Sequence, residues 1–197
     1  MRNDISIATR KSGFRNKRKV VLIVCEGERT EPSYFECFPL SKSVCEVHGA
    51  GKNTLSVVKE AIIIRDKGEF DEVWCVFDRD SFPPKRVVDA FDLAQKEKIK
   101  IAFSNESFEL WYLLHFQYLD TAITRSDYCK KLTNLLGGKY HKNDPTMYQR
   151  LFLLQATAIK NAKTLHKGVV SNSLHKTCSV TTVFELVQRL NKLSNKV

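Results

Sequence analysis

Two aspartates directly follow a strongly apolar segment of the chain. The run EVWCVFDRD is predicted to form a buried strand over about 72–77, with Asp78 at its end and Asp80 two residues further on. Side chains at positions i and i+2 of a strand point to the same side, so both carboxylates are expected to face one site. Two like charges at this spacing are unfavourable unless a cation neutralises them. The pair therefore predicts a cation site, although a polar loop or a helix cap before Pro83 would use the same residues.

A second pair of acids follows the first apolar run. KVVLIVCEGE predicts a buried strand over about 20–25 that ends at Glu26, in a turn opened by Gly27. Glu31 lies at the start of a short helix predicted over about 31–38, where its side chain can turn back toward the same edge. Taken alone, these two acids are equally typical of a charged surface turn.

A fifth acid lies in an apolar helical segment. ESFELWYLLHF predicts a helix from about residue 106, in which Glu106 and Glu109 share a face. Glu106 is explained by its place in the first turn, where the helix dipole favours acids. Glu109 lies among Phe and Leu side chains, where an unpaired carboxylate would be costly. A metal ion or a basic partner would relieve that cost.

Strands alternate with helices through the first 120 residues. The strands are predicted at about 20–25, 43–48, 72–77 and 99–103, and the helices at about 31–38, from Asn53 or Thr54 to Gly68, at 85–97 and from 106. This order is typical of a parallel sheet with helices on both faces, in which ligands bind at the carboxyl ends of the strands. The acids described above follow three of those ends. Because no His or Cys has matching ligand spacing, oxygen ligands favour Mg²⁺ or Mn²⁺.

The pattern changes from about residue 124. Three amphipathic segments follow without a strand signal, and Gly137-Gly138 with KYHKNDP marks a join between them. We therefore predict three parts: a basic flexible arm at 1–19, an α/β domain at 20–120 and a helical C-terminal part at 121–197.

Charge is unevenly distributed along the 197 residues. The net charge is +10, with +6 in residues 1–20, −4 in 21–138 and +8 in 139–197. Basic flanks around an acidic middle suit a carboxylate site beside surfaces that hold phosphate backbones, although solvated Lys-rich faces would give the same numbers. The six cysteines form no C-x-x-C pair, and those at 25 and 75 are expected to be buried reduced thiols. No apolar run is long enough to span a membrane and the N-terminus lacks a secretory pattern, so we expect a cytoplasmic protein.

Three segments resemble the motif blocks of RloB-like proteins. They are VLIVCEGERTEPSYF, VFDRDSF and SNESFELWYLLHF, and the resemblance covers about 20–165. These proteins are bacterial, of Toprim type, and occur in restriction and abortive-infection loci, often beside an AAA-type ATPase. The first block also resembles the Toprim nuclease part of the overcoming-lysogenization-defect family. One departure is Glu106, at a position where many relatives are expected to have proline, which makes this residue a poor candidate for a shared role.

The resemblance implies a Toprim-like parallel sheet and a metal-dependent nuclease acting on DNA or RNA, with tRNA as one candidate substrate. It implies Glu26, Glu31, Asp78 and Asp80 as metal ligands and catalytic residues, with Glu109 in support. It also implies an antiviral role with an ATPase partner. The chain is too short for a topoisomerase or primase, whereas a catalytically silent binding or regulatory subunit remains the alternative.

Basic residues near the predicted site are candidates for contacts with nucleic acid. They are Lys17 and Arg18 in the arm, Arg79 between the two aspartates, and Lys52 in the glycine turn HGAGKNT. The turn is not a P-loop, and Lys52 is equally well explained as a solvated loop residue. His115 is expected to have a structural role.

Overall fold

Strands and helices alternate through the first half of the chain, as the sequence predicts. The structure is a computed structural model that describes residues 20–79, 84–169, 174 and 176–194. The elements are β1 (Val21–Cys25), α1 (Thr30–Glu36), β2 (Cys45–Gly49), α2 (Thr54–Arg65), β3 (Glu72–Asp78), α3 (Pro84–Lys96), β4 (Lys100–Asn105) and α4 (Glu109–Leu113). Each lies within a few residues of its predicted position, except that α4 ends after five residues.

The second half is mainly helical and adds one strand. Its elements are α5 (Arg125–Leu135), α6 (Met147–Leu151), a 3-10 turn (Phe152–Leu154), α7 (Gln155–His166), β5 (Val180–Thr181) and α8 (Val183–Ser194). A capping box formed by Thr124 and Asp127 fixes the start of α5. Among the described residues, no helix is long and apolar enough to cross a membrane.

The sheet has the order β2-β1-β3-β4-β5, and its first four strands are parallel. The predicted α/β fold is therefore confirmed. The C-terminal part, which has no strand signal in its sequence, also contributes β5, which pairs antiparallel with β4 through Ser104 and Asn105. The Thr182 N–H also donates to the Phe103 carbonyl at 2.8 Å. A strand of two residues is too short to produce a periodic signal.

Helices cover both faces of the sheet. In β1, Val21, Ile23 and Cys25 pack on one face with α1, α4 and the C-terminal helices. Leu22 and Val24 pack on the other face with α2 and α3. All five β1 residues are completely buried, which explains why this strand has a continuous apolar sequence. One core thus joins the C-terminal helices to the sheet. Cys25 and Cys75 are buried thiols that form no disulfide, as predicted.

Candidate functional site

Four carboxylates lie together at the carboxyl ends of β1 and β3. Glu26 directly follows β1, and its N–H donates to the Val76 carbonyl of β3 at 2.8 Å. Asp78 is the last residue of β3, while Glu31 lies in the first turn of α1 and Glu109 begins α4. Asp78, Glu31 and Glu109 are all buried. The parallel topology brings them to one edge because these two strands are neighbours in the sheet. We call these four residues the carboxylate cluster.

The Glu26 side chain links the ends of three elements. Its Oε2 accepts a hydrogen bond from the Asp78 N–H at 3.1 Å, and its Oε1 accepts one from the Thr54 hydroxyl at 3.2 Å. Thr54 is the first residue of α2, and the Asn53 side chain caps this helix. These contacts orient the Glu26 carboxylate toward the end of β3.

Asp78 is buried next to the charges of the other three carboxylates of the cluster. Its Oδ2 accepts the Phe108 N–H at 3.0 Å and lies 3.6 Å from Nη2 of Arg125. Its Oδ1 is buried and has no hydrogen-bond partner. Burial raises the pKa of Asp78 well above its ordinary value, and the charges of Glu31, Glu109 and Glu26 raise this pKa further. Arg125 opposes these effects only in part.

Glu31 lies against a glycine that leaves room for its carboxylate. A Cβ atom at Gly27 would overlap Glu31 Oε2, which is buried and has no hydrogen-bond partner. Burial raises the pKa of Glu31, and Glu109 adds to this, whereas Lys142 and Arg125 lower it. Two carboxylate oxygens of the cluster, Asp78 Oδ1 and Glu31 Oε2, are thus desolvated without a donor. Such oxygens are expected where a cation binds.

Glu109 faces the cluster, and a tyrosine from the C-terminal part holds its carboxylate. The Tyr140 hydroxyl donates to Glu109 Oε1 at 3.2 Å, and Glu109 is only 2% exposed. Burial and the neighbouring Glu109 charge raise the pKa of Tyr140, so this phenol remains a donor at neutral pH. Glu106, by contrast, is partly exposed.

We expect Tyr140→Phe to destabilise the protein by about 1 kcal/mol at pH 7. The substitution removes the hydroxyl that donates to a buried carboxylate while keeping the ring in the core. Urea unfolding measures the change, and Tyr118→Phe is the control because the Tyr118 side chain is 46% exposed. Equal stability of the two variants would show that the Tyr140–Glu109 hydrogen bond contributes nothing.

The C-terminal part brings further residues to the cluster that were not among the predicted site residues. Arg125 begins α5, and the segment 139–144 carries Tyr140, Lys142 and Asn143 to the cluster. The Thr30 hydroxyl donates to Asn143 Oδ1 at 2.6 Å and fixes this segment to α1. Thr30 is the first residue of α1, and Arg29 occupies the cap position without a side-chain hydrogen bond. Arg125 lies inside a T-x-x-D box formed by Thr124 and Asp127, a sequence signal that marks a helix start and not a site.

The basic residues that were predicted to contact nucleic acid differ in their surroundings. Lys52 is exposed but forms an ion pair with Glu60, which supports the solvated-loop interpretation. Arg79 is partly buried, its N–H donates to the Ser104 carbonyl at 2.9 Å, and its Nε has no hydrogen-bond partner. Lys17, Arg18 and Asp80 lie outside the described residues. His115 is buried, with its Nδ1 2.9 Å from the Trp111 carbonyl oxygen. Burial lowers its pKa to about 4, consistent with the structural role expected for it.

The chemistry of the cluster suits a hard divalent cation, although the ligand set is incomplete. Within the part of the chain that the structure describes, no group of three His, Cys, Asp or Glu side chains could hold a metal ion. The second aspartate of the D-x-D motif is not among those residues. The fit to Mg²⁺ or Mn²⁺ therefore rests on oxygen-only donors and on the two buried oxygens that lack a partner.

The fold and the cluster together define an α/β protein with buried acids at the carboxyl ends of neighbouring parallel strands. The chain belongs to the RloB-like family, whose sequence model, described as RloB-like protein, matches residues 21–190. The match includes the whole carboxylate cluster and continues into α8, past residue 165 where the expected resemblance ended. Comparisons with curated proteins and with solved structures gave no match.

Proposed function

We propose that the chain is a Mg²⁺- or Mn²⁺-dependent phosphodiesterase of Toprim type that cleaves DNA or RNA. The observation that carries this proposal is the burial of Asp78, Glu31 and Glu109 at one sheet edge, with two carboxylate oxygens lacking any donor. Leaving such oxygens desolvated is costly, and a protein retains them where a cation restores the lost interactions. The position at the carboxyl ends of parallel strands agrees, because ligands bind there in α/β folds.

Each member of the cluster has a distinct part in the proposed reaction. Asp78 and Glu31 offer the unpartnered oxygens as ligands, and Asp80 is the third proposed ligand. Glu26, which Thr54 and the Asp78 N–H orient, acts as general base or as a further ligand. Glu109, whose carboxylate accepts the Tyr140 hydroxyl, is the supporting ligand. When bound, Mg²⁺ or Mn²⁺ would polarise the phosphate and stabilise the leaving oxygen.

Phosphate binding is assigned to basic residues around the cluster. Arg79 lies next to Asp78, and the terminal segments carry most of the net positive charge. Such residues hold a nucleic-acid backbone without reading its sequence, so affinity should fall steeply with salt. We further propose that the protein acts in the cytoplasm as an antiviral effector together with an AAA-type ATPase. The family resemblance supports this context.

A cleavage assay tests the proposed activity. The purified chain is incubated with plasmid, single-stranded DNA and total tRNA, each with Mn²⁺ or with EDTA. We expect cleavage of at least one substrate in Mn²⁺ and none in EDTA, because the carboxylates need a cation before a phosphate anion can approach them. The substrate that is cut also decides between DNA and RNA.

The alternative is a catalytically silent subunit that binds nucleic acid or regulates the ATPase. The Arg125–Asp78 ion pair favours it, since a guanidinium already compensates one of the proposed ligands. This function predicts nucleic-acid binding that is unchanged by Mn²⁺ and no cleavage with or without the partner. Cleavage that requires Mn²⁺ would exclude it.

We expect Gly27→Ala to weaken cation binding far more than it affects the fold. The new Cβ would displace the Glu31 carboxylate, the flexible end of a side chain, so the stability loss should be only about 1 kcal/mol. The rise in melting temperature caused by Mn²⁺ should become much smaller. Gly138→Ala is the control, because its Cβ would meet nothing within 4 Å. An unchanged Mn²⁺ effect in Gly27→Ala would remove Glu31 from the ligand set.

A further inference from the structure

Arg125 lies between the carboxylate cluster and solvent. It is the first residue of α5, and the Thr124–Asp127 capping box holds the backbone on which it stands. Its Nη2 is 3.6 Å from Asp78 Oδ2, yet its side chain remains 36% exposed. The guanidinium therefore lies within ion-pair distance of a proposed ligand, on a side chain that is partly exposed.

The contact between Arg125 and Asp78 depends on the charge balance of the cluster. Asp78 is buried beside Glu26, Glu31 and Glu109, and the positive charge of Arg125 offsets part of that excess. A divalent cation on Asp78 would offset the same charge more strongly and would repel a guanidinium held by the same carboxylate. Asp78 can therefore hold Arg125 or a divalent cation, but each weakens the binding of the other.

We infer that Arg125 is the counterion of Asp78 in the metal-free protein and that cation binding releases it to hold the phosphate being cleaved. A guanidinium suits this exchange because its fork of donors matches a carboxylate and a phosphate equally well. Its partial exposure leaves it able to turn toward a substrate without rebuilding the helix. This inference rests on the proposed function. It goes further by assigning a phosphate-binding residue and by coupling that residue to the metal.

Metal binding provides the first half of the test. The Mn²⁺ concentration that gives half of the maximal rise in melting temperature is measured for the unaltered protein, for Arg125→Gln and for Lys142→Gln. Arg125→Gln should need about fivefold less Mn²⁺, because the cation no longer competes with a bound guanidinium. Lys142→Gln removes an exposed charge that acts on Glu31 and should change the requirement less than about twofold.

Oligonucleotide binding provides the second half. Fluorescence anisotropy of labelled single-stranded DNA and RNA is measured in EDTA and in Ca²⁺. Arg125→Gln should weaken binding about tenfold in Ca²⁺ but less than about twofold in EDTA, where Asp78 retains the guanidinium. A permanent phosphate contact would instead give the same loss in both solutions.

The outcomes separate the inference from the proposed function. If the unaltered protein shows no melting shift with Mn²⁺, the metal-dependent function fails and the inference fails with it. If the shift occurs but Arg125→Gln and Lys142→Gln need equal Mn²⁺, the counterion role alone is overturned. Equal losses of oligonucleotide affinity in EDTA and Ca²⁺ overturn the release of Arg125.

Discussion

Asp78→Asn is expected to lower cleavage by roughly 10³-fold or more while making the metal-free protein more stable. The amide keeps an oxygen for the Phe108 N–H but removes the charge that a cation would bind. Losing one anionic ligand removes several kcal/mol of transition-state stabilisation. Metal-free stability should rise by about 1 kcal/mol or more, because a buried charge among three other acids disappears.

The stability gain should depend on pH in a defined direction. The pKa of Asp78 is raised in the folded state, so the folded protein binds its proton more tightly than the unfolded chain does. The resulting stability is complete below the ordinary pKa of 3.8 and is lost as the pH rises through the raised folded pKa. The asparagine variant lacks this loss. Its advantage in melting temperature should therefore be small near pH 4 and grow toward pH 8.

Asp89→Asn is the matched control, since Asp89 is exposed on α3. It should leave both the cleavage rate and the pH dependence of unfolding unchanged. Stability curves of Asp78→Asn and the unaltered protein that run parallel from pH 4 to 8 in EDTA would contradict the electrostatic account of the cluster.

Glu109→Gln is expected to reduce turnover by about 10–100-fold without destabilising the metal-free fold. Residues that support metal ligands have effects of this size. The glutamine can still accept a hydrogen bond from the Tyr140 hydroxyl. Removing one negative charge reduces the repulsion within the cluster, which offsets the weaker hydrogen bond to a neutral amide. Steady-state cleavage in saturating Mn²⁺ and unfolding in EDTA measure the two effects separately.

Glu106→Gln is the control, because Glu106 lies three residues earlier and is partly exposed. It should change turnover less than about twofold, as expected for a substitution at a solvated position. Equal losses in the two variants would show that residues 106–109 act through their overall charge and not through the buried position of Glu109.

The sequence predicted the elements that position the cluster. β1 and β3 are continuous apolar runs because helices cover both faces of the sheet. A strand that is buried on both faces has such a sequence. Glu26 and Asp78 follow those runs directly, so their meeting at one edge follows from the topology. Glu109 was found because a charged residue in an apolar helix requires an explanation.

The residues that the C-terminal part brings to the cluster could not be predicted in the same way. Thr30 and Asn143 are separated by 113 positions, and no local pattern connects them. Arg125 and Tyr140 reach the cluster only because α5 and the following segment pack against α4. Strand β5 escaped for a related reason, since its pairing depends on contacts with β4 and not on its own two residues.

The most direct test of the account is a crystal soaked in Mn²⁺ and measured on both sides of the manganese absorption edge. We predict an anomalous peak within ligand distance of Asp78 and Glu31, with Arg125 moved away from Asp78. The Asp78→Asn crystal should lose the peak under the same conditions. An anomalous map without density at the carboxylate cluster, from protein that cleaves nucleic acid in Mn²⁺, would contradict the account.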